Sequence, residues 1–141
     1  MAAARVVVDA SVALKWVMDE PGSTEALALL EGQHVLNAPD FLLVEVANVL
    51  WVKLRRGLIE RDAADLAFEA VSAVPVAYVP LDELILPARS LAQAMDLTVY
   101  DALYAAAAQR LSCPLFTADA ALARAVDRLG LGGSSRLIGR R

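Results

Sequence analysis

Four carboxylates stand where hydrophobic patterning would not put them: Asp9, Glu45, Asp101 and Asp119. Asp9 ends the apolar run Arg5-Val-Val-Val-Asp9, and Asp119 follows Leu115-Phe-Thr-Ala118. Glu45 interrupts Phe41-Leu-Leu-Val-Glu45-Val-Ala-Asn48-Val-Leu-Trp51, and Asp101 opens the alanine-rich stretch that runs to Ala108. A charge in apolar surroundings is costly unless a counter-charge or a metal compensates it. Four charges of one sign with few bases nearby point to a divalent cation, and so to metal-dependent chemistry on phosphates.

What else the chain carries narrows the choice. Its one histidine, His34, follows Gly32-Gln33 and reads as an exposed turn, so histidine-based triads and two-histidine metal sites have nothing to build on. Its one cysteine, Cys113, excludes an intrachain disulfide and a cysteine-based zinc site, and suits a reducing cytoplasm. Asp9 breaks the only N-terminal apolar run, so no secretory signal is expected, and no stretch reaches the ~20 apolar residues of a membrane span. The net charge of −4 argues against tight non-specific duplex binding. Bases nevertheless cluster at Lys53, Arg55, Arg56 and Arg61 and again at Arg136, Arg140 and Arg141, as solvated faces or as local patches for a polyanion.

The elements that must position the acids follow from patterning. With 58 % apolar and 21 % charged residues over 141 positions, the chain reads as one ordered domain, with a basic Gly/Ser-containing tail from about residue 132. Strands are expected at Arg5–Asp9, Val35–Asn37, Val76–Val79 and Leu115–Thr117, with Arg136–Ile138 as an edge strand or loose tail. Helices are expected at Ser11–Met18, from a Ser23 cap to Gly32, from Pro39-Asp40 to Gly57, and over Asp62–Val74. Three more are expected over Asp82–Met95 (with Pro87 bending or shortening it), Thr98–Leu111 and Asp119–Leu129. Such alternation gives an α/β fold, a mostly parallel sheet covered on both faces. Ligands in such sheets bind beyond the carboxyl ends of the strands, where Asp9 and Asp119 both fall.

Each acid also has a plainer reading. Asp9 can cap the helix that follows, but Ser11 is available for that, and a carboxylate at a buried strand end favours a metal. Thr98-Val-Tyr-Asp101 has the spacing of a capping box, imperfect because Asp is shorter than the usual Glu, and cap and ligand stand side by side there. Glu45 has no base three or four residues away and shares a face with Asn48, which favours function over solvation. Asp119 or Thr117 can cap the last helix. Ser11 and Thr117 can hydrogen-bond a ligand water or an acidic neighbour, with capping the simpler reading of each. Lys15 either neutralises the acids or touches phosphate, or is an exposed lysine. Trp16 and Trp51 read as core or interface residues.

Four segments in this order resemble the PIN-domain family, specifically the VapC-type toxins of prokaryotic toxin–antitoxin pairs. They are Val8-Asp9-Ala-Ser-Val-Ala-Leu-Lys-Trp16, Glu45-Val-Ala-Asn48, Tyr100-Asp101-Ala-Leu-Tyr-Ala-Ala106 and Phe116-Thr117-Ala-Asp119. The resemblance runs from Val6 to about Leu131 and is weaker from Gly132 onward. It implies a three-layer α/β/α sandwich and an Mg²⁺- or Mn²⁺-dependent ribonuclease. By the same resemblance Asp9, Glu45, Asp101 and Asp119 form the acidic quartet. Asp9, Asp101 and Asp119 would contact the metal, and Glu45 would act directly or through its water. Ser11, Lys15, Asn48 and Thr117 would support the site. A homodimer and a cognate antitoxin are implied too, with Leu14–Met18 and Phe41–Trp51 as contact surfaces.

Two rival readings remain. An Asp-nucleophile phosphatase of haloacid-dehalogenase type would want a second Asp two residues after Asp9, where this chain has Ser11. A non-catalytic module holding a partner protein would have no use for an intact acidic quartet.

Overall fold

The computed structural model describes residues 3–130 and 135–139. Its strands are β1 (Ala4–Val8), β2 (His34–Pro39), β3 (Ala77–Val79), β4 (Leu115–Thr117) and β5 (Arg136–Leu137). Its helices are α1 (Ala10–Lys15), α2 (Ser23–Glu31), α3 (Leu42–Arg55), α4 (Arg61–Ala73), α5 (Leu81–Met95), α6 (Val99–Leu111) and α7 (Ala120–Arg128). All the strand pairs are parallel, in the order β3-β2-β1-β4-β5. The short apolar runs read from sequence are these strands, and Arg136-Leu137 is the edge strand rather than a loose tail. The tail residues 131–134 and 140–141 lie outside the described residues.

The strand order fixes where a ligand can sit. From β1 the chain steps to β2 and β3 in one direction, then returns past β1 to β4 and β5. Right-handed crossovers therefore put α1–α4 on one face and α5–α7 on the other, a three-layer sandwich. The reversal falls between β1 and β4, and a crevice opens there at the strands' carboxyl ends. Val6, Val7 and Val8 are buried to 3 % exposure or less, as a central strand covered on both faces requires. Helix α6 packs on β1, β2 and β4. Every residue from Ala102 to Ala108 is buried, and the small alanine side chains let this helix lie close to the sheet.

Several boundaries differ from the sequence expectation for identifiable reasons. Helix α1 begins at Ala10, before Ser11, because Asp9 takes the cap. Ser23 does not cap α2: Gly22 does, with a left-handed φ of 92°, while the Ser23 hydroxyl donates to Met18 O and accepts from Glu20 N–H. Pro39 closes β2 instead of opening α3, since Asp40 N–H still bonds Val79 O across the sheet. His34 is exposed as expected, but as the first residue of β2 and not in a turn. Pro87 does not shorten α5, which is continuous from Leu81 to Met95. The residue lies on the exposed side, where water can take the carbonyl freed by its missing N–H.

Leu115 is fully buried on β4, beside the crevice. Leu115→Ala should destabilise the chain by about 2–5 kcal/mol. The shift of the urea midpoint measures this, and a loss below about 1 kcal/mol would mean that β4 is not packed as described.

Candidate active site at the strand reversal

Asp9 occupies the reversal point. Its backbone is extended (φ −101°, ψ 178°) and Oδ1 accepts the Val12 N–H at 3.1 Å, so it caps α1. The Ser11 hydroxyl donates to Oδ1 and the Thr117 hydroxyl to Oδ2, each at 2.5 Å. Ser11 Oγ in turn accepts Ala118 N–H and Thr117 Oγ1 accepts Asp119 N–H, both at 2.9 Å. Neither hydroxyl caps a helix, which corrects the simpler reading of both residues. Ser11 reaches Asp9 locally, from two residues on, whereas Thr117 reaches it, and Ala118 N–H reaches Ser11, because parallel pairing of β1 with β4 sets the two strand-end turns side by side, a proximity across more than a hundred residues that local patterning does not contain.

Asp119 caps α7 through Oδ1, which accepts Ala121 N–H at 2.9 Å and Leu122 N–H at 3.2 Å. Asp101 sits in the first turn of α6, where Thr98 is the cap and accepts Asp101 N–H at 3.1 Å. Only this half of the capping box forms. The short Asp101 carboxylate makes no return bond to Thr98 N–H, and it remains free to face the crevice. Glu45, half-buried in the first turn of α3, completes the set.

These carboxylates feel one another. Burial is the largest influence on Asp9 and raises its pKa from 3.8 to about 6; bonds from Ser11, Thr117 and Val12 pull it back, and Asp101 pushes it up again. Burial raises Glu45 as well, with Tyr104 lowering it and the charges of Asp9 and Asp101 raising it. Asp101 is raised by burial first, then by Asp119, with Thr98 opposing. No arginine or lysine is among the groups acting on these three acids. Like charges gathered without a base are the electrostatic condition that a divalent cation relieves, and an all-carboxylate donor set suits Mg²⁺ or Mn²⁺. Among the described residues, no three His, Cys, Asp or Glu side chains close on one point as a finished ligand set.

The expected supporting residues divide. Ser11 and Thr117 join the site through Asp9. Lys15 is buried, not exposed, and its ammonium pairs with Glu20 at 3.0 Å, away from the acids. Asn48 is exposed one turn beyond Glu45 and makes no hydrogen bond among the described residues. Sequence reading missed Tyr104, whose buried hydroxyl points toward Glu45 without reaching hydrogen-bond geometry and whose own pKa is raised. Its signal was present: Tyr104 lies three residues after Asp101, on the same face of α6. Tyr100, 59 % exposed, stacks on Phe41 with ring centroids 5.2 Å apart, at the first turns of α6 and α3.

The buried Asp9 has a consequence for stability. Its folded pKa of about 6 exceeds the ordinary 3.8, so in metal-free protein the folded state holds the proton more tightly than the unfolded one. Stability should therefore fall as pH rises from 3.8 to about 6 and stay low above that. Asp9→Asn should stabilise chelator-treated protein near pH 8 by on the order of 1–2 kcal/mol, allowing for weaker hydroxyl bonds, and by little near pH 4. Urea unfolding at both pH values measures this; a less stable variant near pH 8 would contradict the burial cost assigned to Asp9.

Known proteins are similar to this chain in sequence and fold. The PIN-domain family model matches residues 6–128. Ribonuclease VapC3 of Pyrobaculum aerophilum is 35 % identical over 124 residues, covering 84 % of this chain and 92 % of that protein. The crystal structure of PAE2754 from Pyrobaculum aerophilum superposes with a TM-score of 0.69 at 25 % identity, covering 96 % of this chain and 87 % of that one. The family match begins in β1 and ends with α7, so it takes in both strand-end turns and the helices between them. The chain belongs to the PIN-domain family.

Proposed function

We propose that this chain is a metal-dependent endoribonuclease of VapC type, the toxin of a toxin–antitoxin pair. One observation carries the reading: the fold gathers the acids so closely that Asp101 raises the pKa of both Asp9 and Glu45, and Asp119 that of Asp101, with no base among their partners, in a chain 35 % identical to a ribonuclease. Asp9, Asp101 and Asp119 are the residues to hold Mg²⁺ or Mn²⁺. The ion, when bound, makes water a stronger acid and polarises the scissile phosphoryl group.

The chain's own groups do the rest. Ser11 and Thr117 fix both oxygens of Asp9, so that carboxylate presents its remaining lone pairs in a set direction. Glu45, raised in pKa and half-buried, is placed to accept a proton from the attacking water. The buried Tyr104 hydroxyl lies near Glu45 and lowers its pKa against the effect of burial. Hydrolysis by water has no need of the ribose 2′-hydroxyl as attacker, and no histidine is required.

The partner reading rests on exposed apolar surface. Of the two stretches expected to meet an antitoxin, Leu14 and Trp16 are buried in the chain's own core, with the Trp16 Nε1–H donating to Ala26 O. Helix α3 does offer exposed apolar groups, Val44 at 59 % and Trp51 at 54 %. Leu50, Trp51 and Leu54 line a groove of about 370 Å³ against Ala64 and Phe68 of α4, suited to an apolar segment of the antitoxin. Leu86 and Ile85, exposed on α5, are available to a second copy of the chain in a homodimer. Among the described residues no helix is long and apolar enough to cross a membrane. RNA as substrate places the activity in the cytoplasm.

Asp9→Asn and Asp101→Asn should each lower RNA cleavage by at least about a hundredfold while the circular dichroism spectrum stays native. Chelation should abolish wild-type cleavage, and Mg²⁺ or Mn²⁺ should restore it. Full activity of either folded variant would remove the acidic quartet from the reaction.

A further inference from the structure

A groove of about 710 Å³ lies between the end of α5 and the outer face of α7, lined by Met95, Asp96, Leu97, Ala121, Arg124 and Arg128. Two of its walls grow directly out of the acidic crevice. Leu97 precedes Thr98, the cap whose turn carries Asp101. Ala121 donates its N–H to the Asp119 carboxylate. Asp101 and Asp119 are near neighbours, since the charge of one raises the pKa of the other. The groove thus begins one or two residues from each carboxylate turn and leads away from it.

Its chemistry is opposite to that of the crevice. Ala121, Arg124 and Arg128 follow one another at intervals of three and four, so they share a face of α7. The two guanidinium-bearing residues are a helical turn apart, about 6 Å along the axis. Both are exposed, and neither forms an ion pair or hydrogen bond among the described residues, where the salt bridges are Lys15–Glu20 and Arg110–Glu83. Asp127, the acid beside them on α7, is turned toward Ser135, accepting both its N–H and its hydroxyl at 2.9 Å. Asp96 is the one acid in the lining against two arginines. Ala121, with only a methyl side chain, lines the groove between the Asp119 turn and the arginines.

We propose that Arg124 and Arg128 form a phosphate-binding subsite that holds the backbone of single-stranded RNA next to the bond cut in the acidic crevice. This rests on the ribonuclease reading and extends it, because a pocket of four acids repels a polyanion and needs an adjoining cationic hold to retain it. Two planar, uncommitted guanidiniums one turn apart suit successive phosphates, which Arg meets with paired N–H donors. Backbone contacts position a strand without reading its bases.

The test uses the double variant Arg124→Gln/Arg128→Gln and a mixed-sequence single-stranded RNA oligonucleotide. KM for cleavage should rise roughly tenfold or more with kcat little changed, and cut positions should stay the same. The slope of log kcat/KM against log salt should shallow by about 1.4, two phosphate contacts on a single strand. A matched loss of charge at the far end of the molecule, Arg5→Gln/Arg110→Gln, should move neither quantity. Direct RNA binding by the Asp9→Asn protein, with and without the two arginine changes, separates this inference from the one beneath it. If wild-type protein cuts no RNA, the ribonuclease reading fails, and arginine-dependent binding still supports the subsite. If binding, KM and salt slope are all unchanged in the double variant, or if Asp9→Asn protein binds no RNA, the subsite is wrong.

Discussion

The pairing of β1 with β4 is the constraint on which the site depends, and the Asp9 carboxylate is its fastener. Thr117 approaches Asp9 from the neighbouring strand and Ser11 from the turn after its own, each hydroxyl donating to one carboxylate oxygen. Each hydroxyl oxygen then accepts an N–H from the turn after β4. A charged acceptor makes such bonds stronger than neutral ones, and a network of this kind rigidifies only when every member is satisfied. Here every member is. The price is a buried carboxylate with a raised pKa, which the fold tolerates because the same network orients it.

Around that fastener the other acids arrive from elements that must be held close by unlike means. Helix α6 carries Asp101 on its first turn and then presents only Leu103 and Tyr104 as large side chains among buried alanines. Small residues bring the helix axis near the sheet, and so bring Asp101 to the strand ends. Helix α3 instead anchors through Leu42, Val46 and Leu50, leaving Glu45 on the adjoining face toward Tyr104. Close packing and bulky anchoring thus converge on one crevice, and an electrostatically strained set of carboxylates survives because the apolar core under it is continuous.

The crevice and the groove beside it form a charge pair of opposite sign. Helix α7 links them: its cap is Asp119, and its outer face carries Arg124 and Arg128. A short helix with an acid at its start and arginines along one face sets the sign of two neighbouring surfaces at once. The side facing the sheet is apolar through Leu122, Ala123, Ala125 and Val126, which keeps the charged face outward.

The sequence by itself determined the elements and the four acids. Short uninterrupted apolar runs marked the strands, and an acid at the end of such a run, as at Asp9, is visible without any fold because its burial is implied by its neighbours. The parallel sheet followed from alternation, and the strand-end position of Asp9 and Asp119 followed from the sheet. Only the tertiary structure decided what the small polar residues do. Ser11 and Thr117 look like caps in sequence, since capping is a local bond, whereas Thr117 meets Asp9, and Ser11 meets the Ala118 N–H, only through strand pairing. Lys15 looks like a neighbour of the acids in sequence, yet the α1–α2 turn gives it Glu20 first. Tyr104 comes near Glu45, and the arginines of α7 come to line a groove, only when α6 and α7 are set against the sheet. Local propensity and patterning write the elements and the misplaced charges; which polar atoms meet is written by strand order, because contacts between distant residues exist only after the chain has closed on itself.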